Sequence, residues 1–330
     1  MKLIDTETAL DLVHNALFTW SDESGLQFSR FSEQQKAAYA KRSGTRFAQH
    51  VTGASNVTLE MITDSDVLAF DISLCESSGG RFTAIDFLVD GVLYDSVSFA
   101  HPYRKTSVCF KAPSGTHRLT VYFPWCAAVK IQNLAVAENS FVMPTEKSVR
   151  ILALGDSITQ GYLSRHPSLS YIGRITETMN AEVLNQGIGG YRFFAESLCD
   201  DVAFYPDVIT LAYGTNDYTF VETEAEFVRY AATYLKRLNL LYPDTPVLMI
   251  TPIYRQDQDL VLIKHNYSFE RAAALLKECA KPYSNITVLE GLSFFPHHTD
   301  FLSEDRLHPN DLGFSLYAQA VEGALKNILC

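Results

Sequence analysis

Ser157 stands in a setting suited to nucleophilic chemistry, within Gly155-Asp156-Ser157-Ile158-Thr159-Gln160-Gly161. The segment follows directly on Val149-Arg150-Ile151-Leu152-Ala153-Leu154, an apolar run that reads as a strand. Gly155 permits a sharp exit, so the hydroxyl is displayed where the strand gives way to a helix or loop. The Ser157 N–H then falls near a helix start, where backbone donors lack partners within the helix. Taken alone, Gly-Asp-Ser reads equally well as an Asp/Ser helix cap. A serine hydroxyl needs a base, and the base needs an orienting group. Asp305-Arg306-Leu307-His308-Pro309-Asn310 offers both, ahead of a helix that Pro309 helps to start. An Asp three residues before a His can reach the imidazole Nδ1–H and leave Nε2 to take the serine proton.

Acyl transfer also requires donors for a developing oxyanion. Leu184-Asn185-Gln186-Gly187-Ile188-Gly189-Gly190 ends a strand in glycines whose N–H groups can approach a ligand closely. Leu211-Ala212-Tyr213-Gly214-Thr215-Asn216-Asp217 ends the next strand with a neutral amide donor. Each of these loops, taken singly, reads first as a turn. Asp156 and Asp217 are expected to cap backbone donors and hold their loops rather than move protons.

Strands and helices must position these groups. After residue 148, apolar strand candidates at 149–154, 182–188, 207–213, 246–251 and 286–290 alternate with helical stretches, notably 222–241, 267–281 and 310–328. Buried strands alternating with helices predict a parallel sheet covered on both faces, with ligands at the carboxyl ends of its strands. Before residue 144 the pattern is short strands: 57–62, 67–72, 87–89, 92–94, 117–123 and 128–134, with Asp90-Gly91 as a two-residue hairpin turn. That spacing predicts a β-sandwich. One helix precedes it, with Thr6 as its cap and apolar residues through Trp20. The chain divides at Pro144-Thr145-Glu146-Lys147-Ser148, giving domains 1–145 and 146–330.

Composition narrows the function classes. The chain has 330 residues, of which 47% are hydrophobic and 20% charged, the balance of a soluble globular protein. A formal net charge of -11 argues against nucleic acid and against an anionic membrane surface as partners. The start, Met1-Lys2-Leu3-Ile4-Asp5-Thr6-Glu7, turns acidic before an apolar run develops, and no stretch has the length of a membrane span. Cys75, Cys109, Cys126, Cys199, Cys279 and Cys330 form no Cys-x-x-Cys pair and read as free thiols, which places the protein in the cytoplasm. His166 and the adjacent pair His297-His298 lack the further ligands that a zinc site needs, so no metal is expected. Trp125, Tyr162, Tyr191, Tyr213 and Tyr218 lie at or near loops, where aromatics either stack on sugar faces or pack, and Tyr213 reads as core.

Together, Gly155-Asp156-Ser157, Gly190, Gly-x-Asn-Asp at 214–217 and Asp-x-x-His at 305–308 resemble the four motif blocks of SGNH (GDSL-type) hydrolases, in family order over about residues 149–328. The resemblance implies a flavodoxin-like three-layer α/β/α domain and a metal-independent, cofactor-free triad of Ser157, His308 and Asp305. It also implies an oxyanion hole of the Ser157 and Gly190 N–H groups with the Asn216 side chain, Gly189 being the competing glycine. The front half, through segments such as 115–124, and the Gly161-Tyr162 and 167–171 segments are similar to carbohydrate esterases that carry a jelly-roll-like β-sandwich before the hydrolase domain. The implied activity is hydrolysis of short acyl esters, acetyl foremost, on a small molecule or oligosaccharide, with Tyr162, Tyr191 and His166 as expected substrate contacts. The alternatives are a lysophospholipase or thioesterase for longer chains, or an inactive carbohydrate-binding protein. The sandwich can also serve as a surface for homo-oligomerisation.

Overall fold

The computed structural model describes residues 1–43, 45–80, 83–99, 105–257 and 267–330. Its C-terminal part is a five-stranded parallel sheet in the spatial order Ala181–Gly187, Val149–Gly155, Val208–Ala212, Val247–Ile250, Ile286–Leu289. The first strand in sequence has a neighbour on each side, so the chain reverses its direction of winding beside it. That is where an open α/β sheet leaves a crevice at its carboxyl edge.

The alternation within each strand explains the layers. Ile151 and Ala153 pack with Tyr171, Ile172, Phe314, Tyr317 and Val321, from helices Tyr171–Thr178 and Asp311–Leu329. Leu152 and Leu154 point the other way, toward Phe227, Tyr234, Leu235, Ala272 and Leu276 of helices Glu224–Leu241 and Phe269–Ala280. Successive strand side chains emerge on opposite faces, so an unbroken apolar run marks a strand covered on both. Truncating one of these leucines to alanine costs about 2–5 kcal/mol. The expected strands and helices of this half are present, with ends differing by one or two residues.

The N-terminal part holds two antiparallel sheets of six strands each. Leu59 and Met61 of one sheet and Leu68, Phe70 and Ile72 of the other share a single apolar cluster, and Phe87 stacks on Phe110 across it at 4.6 Å. Asp90 and Gly91 both adopt positive φ, 50° and 81°, as a tight hairpin requires.

Several expectations for this half need correction. The first helix is only Thr6–Asp11, capped by Asp5 rather than Thr6; Val13 begins a short strand, Val13–His14, and Phe18 and Trp20 belong to strand Phe18–Asp22. Aromatic and β-branched residues at 18–20 favour the extended chain over a continued helix. Helices Glu33–Ser43 and Thr45–His50 and strand Lys105–Lys111 were not anticipated. The strand reads Lys-Thr-Ser-Val-Cys-Phe-Lys, with too little regular alternation to register as one.

The two parts meet along strand Ala181–Gly187, the edge of the parallel sheet. Alternate residues of an edge strand present unpaired backbone groups. Asn15 Oδ1 accepts from Val183 N at 2.6 Å, Asn56 Nδ2 donates to Val183 O at 3.4 Å, and Arg30 Nη1 donates to Asn185 O. Arg30 also reaches Gly187 O at 3.5 Å, while Gln35 and Gln186 exchange an amide hydrogen bond at 2.9 Å. N-terminal side chains thus satisfy the edge that another strand would otherwise cover.

Candidate active site

Ser157 opens the short helix Ser157–Gln160, directly after its strand. A Cβ on Gly155 would fall 2.0 Å from Thr159 Oγ1 and 3.0 Å from Ala212 O, so only glycine lets the chain turn this tightly. Asp156 caps the helix by accepting from Ile158 N at 3.0 Å, as expected for this residue.

His308 reaches the serine from the other end of the sequence. Ser157 Oγ and His308 Nε2 are 2.6 Å apart, and His308 Nδ1 lies 2.5 Å from Asp305 Oδ2. Asp305 Oδ1 accepts from the N–H groups of Leu307 and His308 at 3.1 and 3.0 Å. With Nδ1–H donated to the carboxylate, Nε2 is left to accept the serine proton. Burial pushes the Asp305 carboxyl up, but its bonds to His308 and the attraction of the imidazole outweigh this and hold it below the ordinary carboxylate value. The loop is pinned by a bridge between Leu302 and Pro309 and by Asn310, which donates to Asp300 O and Leu302 O at 2.7 and 3.1 Å. Asn310, rather than Pro309, forms the cap of the last helix, by accepting from Gly313 N.

Three loops at the carboxyl edge converge on Ser157. Gly189 N donates to Gln160 Oε1 at 2.8 Å and is therefore occupied. Gly190, at φ 78°, and Ser157 keep backbone N–H groups without a hydrogen-bond partner among the described residues. The Asn216 amide donates to Asp156 Oδ2 and Tyr191 O through long contacts of 3.3 and 3.2 Å, one of which must yield for Nδ2 to reach a ligand. Asp217, also held as expected, accepts from Phe193 N at 3.1 Å and fixes the same loop. Burial raises the Asp156 carboxyl to about 6 and that of Asp217 to about 7.

The expected substrate contacts fare unequally. Tyr162 lies against His308, ring centres 4.7 Å apart, and lines a cleft of about 770 Å³ beside Asp305. Tyr191 is a correction: it is 1% exposed and packed among Tyr39, Phe47, Phe194 and Tyr213, which leaves no face for a ligand. Its backbone carbonyl, not its ring, serves the site. His166 is a second correction, since it does not line the cleft; its Nδ1 is 3.0 Å from Asp86 Oδ1, which ties it to the N-terminal part. Trp125 is buried, donates to Ser164 O at 3.2 Å and backs Tyr162 at 5.0 Å. Tyr213 and Tyr218 are core residues.

Sequence reading missed the polar residues behind the loops. Asn185 accepts from Gly187 N and donates to Thr159 O, both at 2.8 Å, so it clamps two site loops together. Gln160 donates to Ser78 Oγ at 3.2 Å while holding Gly189. Two polar residues in succession, Asn185-Gln186, at the end of an otherwise apolar strand were the available signal. No group of His, Cys, Asp and Glu among the described residues is arranged to hold a metal. No helix among them is long and apolar enough to cross a membrane.

Similarity to known proteins follows the same outline. Residues 153–316 match the model of the GDSL-like lipase/acylhydrolase family. No curated protein matches the sequence. Among solved structures, the chain is similar to the salicylyl-acyltransferase SsfX3 from a tetracycline biosynthetic pathway, with TM-score 0.80 and 16% identity over 96% of this chain and 95% of that one. It is also similar to a family two carbohydrate esterase from Clostridium thermocellum in complex with cellohexaose, with TM-score 0.66 and 16% identity over 96% and 99% of the two chains. An acetyl xylan esterase, Est2A, from the rumen bacterium Butyrivibrio proteoclasticus aligns with TM-score 0.62 and 14% identity over 99% and 96%. At such identities these likenesses establish a shared fold that spans both parts of the chain. Residues 153–316 thus form a GDSL-like lipase/acylhydrolase domain in the C-terminal part of the chain.

Proposed function

We propose that the protein is a serine esterase that removes short acyl groups, acetyl being the smallest, from hydroxyls of a carbohydrate. The observation that carries this reading is the continuous chain from Ser157 Oγ through His308 to Asp305, at 2.6 and 2.5 Å. In this reading Ser157 Oγ attacks the ester carbonyl while His308 Nε2 takes its proton. The tetrahedral oxyanion is met by the Ser157 and Gly190 N–H groups and Asn216 Nδ2. His308 then gives the proton to the departing alkoxide, leaving the acyl group on Ser157. Water, deprotonated by His308, attacks the acyl-enzyme; the C–Oγ bond breaks and Oγ recovers the proton. Asp305 fixes the tautomer and stabilises the transient imidazolium.

The division at about 144–148 and a β-sandwich front domain belong to the same proposal, supported by the shared core of the two antiparallel sheets. The cleft beside His308 carries Asp300, Glu304, Asp305 and Asp311 with Arg165, groups suited to binding the hydroxyls of a sugar alcohol. The structural likeness to carbohydrate esterases supports the sugar assignment. Ser157→Ala tests the proposal: it should abolish turnover of p-nitrophenyl acetate with an unaltered circular dichroism spectrum. Undiminished turnover would refute it. Turnover by the parent protein excludes an inactive binding protein.

A further inference from the structure

Arg46 sits at the mouth of the site and belongs to the N-terminal part, on helix Thr45–His50. A Cβ placed on Gly190 would lie 2.7 Å from Arg46 Nη2 and 3.3 Å from its Cζ. Adding one C–C bond of about 1.5 Å puts that nitrogen within about 4.2 Å of Gly190 Cα. The side chain is exposed, and no carboxylate pairs with it among the described residues. Two further guanidinium groups flank the same loop. Arg42 lies over Phe194 at 3.4 Å and pairs loosely with Glu196 at 3.5 Å. Arg192 lies over Phe194 at 4.5 Å and over the exposed Phe220 at 5.4 Å.

This cationic rim stands out in a chain of net charge -11. On the His308 side of the site the balance of sign is reversed, because the cleft there is lined by Asp300, Glu304, Asp305 and Asp311 with the single cation Arg165. His308 must face the departing alcohol to protonate it, which puts the acidic cleft on the alcohol side and the Arg46 rim on the other. An acyl group of four carbons extends about 5 Å beyond its attachment, enough to bring a terminal carboxylate to a guanidinium near Gly190. A fork of N–H donors is well matched to such a carboxylate.

We propose that Arg46 is a specificity-determining residue that selects acyl groups ending in a carboxylate, such as succinyl, over neutral chains of equal length. The inference rests on the esterase reading and sharpens its substrate class. It would give the front domain a direct part in recognition.

The test compares mono-p-nitrophenyl succinate with p-nitrophenyl butyrate, for the parent protein and for Arg46→Gln and Arg46→Lys. The parent should prefer the charged ester. Arg46→Gln should lower the charged-to-neutral ratio of kcat/KM by about tenfold, mainly through KM, and Arg46→Lys should restore part of it. A ratio unmoved by Arg46→Gln overturns the proposal, whether or not both rates fall. A second pair, p-acetoxybenzoate and phenyl acetate, carries the charge on the alcohol instead. An Arg46 effect confined to that pair also overturns the acyl-side assignment. Calorimetric titration of free succinate into Ser157→Ala, with and without Arg46→Gln, reads the same contact without turnover. Succinate binding that depends on Arg46 supports the inference even if the esterase reading fails; binding indifferent to Arg46 overturns it even if hydrolysis proceeds.

Discussion

Replacing Arg30 by methionine tests whether the front domain holds the catalytic edge in place. Arg30 is 1% exposed; its Nε donates to Gly53 O at 2.7 Å, and its Nη1 donates to Asn185 O. Methionine fills a similar volume but donates nothing, so both carbonyls lose a donor, at about 1–3 kcal/mol for each that stays dry. Part of this is offset. Burial depresses the guanidinium to about 9, so the charge is held at a cost, and Arg30 Nη2 has no hydrogen-bond partner among the described residues. The net loss should be about 2–4 kcal/mol, a large share of the about 5–15 kcal/mol that holds a domain folded. With a urea slope near 3 kcal/mol/M, the midpoint falls by about 1 M. Asn185 leads within five residues to Gly190, so kcat for p-nitrophenyl acetate should fall about tenfold as the oxyanion donors lose alignment. Urea unfolding followed by circular dichroism, with steady-state kinetics in buffer, reads both quantities. A midpoint shift under about 0.2 M with unchanged kcat would show that the edge does not depend on this side chain.

Three further outcomes follow from the geometry. Asp305→Asn should leave the fold intact and lower kcat by about a thousandfold or more, because an amide cannot hold His308 in the required tautomer or balance its charge; stopped-flow or steady-state assay of acetate ester turnover decides it. Asn216→Ala should lower kcat by about 10²-fold with a smaller effect on KM, and a change confined to KM would assign the amide to ground-state binding. Asp217 is raised to about 7 in the fold from 3.8, so the folded state holds a proton that the unfolded chain releases within that window. Its contribution to stability is full below about 4 and is lost as pH rises through about 7. The Asp217→Asn variant should therefore gain about 4 kcal/mol relative to the parent between about pH 4 and about pH 8, and parallel urea midpoints across that range would contradict the assignment.

How far these features could be read from the sequence depends on the range of the interactions that make them. The parallel sheet was legible because its inner strands bury both faces, so Val149 to Leu154 is apolar almost throughout and needs no partner to be recognised. Ser157 was legible for a related reason, since it sits where a strand ends and a helix starts, and His308 and Asp305 because they lie three residues apart in one turn ahead of the last helix. Tyr191 was misjudged because its place in a loop says nothing about the four aromatic rings from both halves that enclose it, those of Tyr39, Phe47, Phe194 and Tyr213. Arg30, Arg46 and Asn15 were invisible for the same reason: their contacts with the C-terminal part span more than a hundred residues, and nothing in their local pattern sets them apart from solvated polar residues. The division of labour has a physical consequence. On the proposed reading, the chemistry of the site comes from residues near one another in the chain or at element ends, whereas its rim and the bracing of the Ala181–Gly187 edge come from N-terminal side chains through long-range contacts. That reading predicts that substitutions in the front half alter which ester is accepted, through Arg46, or how firmly the edge is held, through Arg30, without touching the serine, histidine and aspartate themselves.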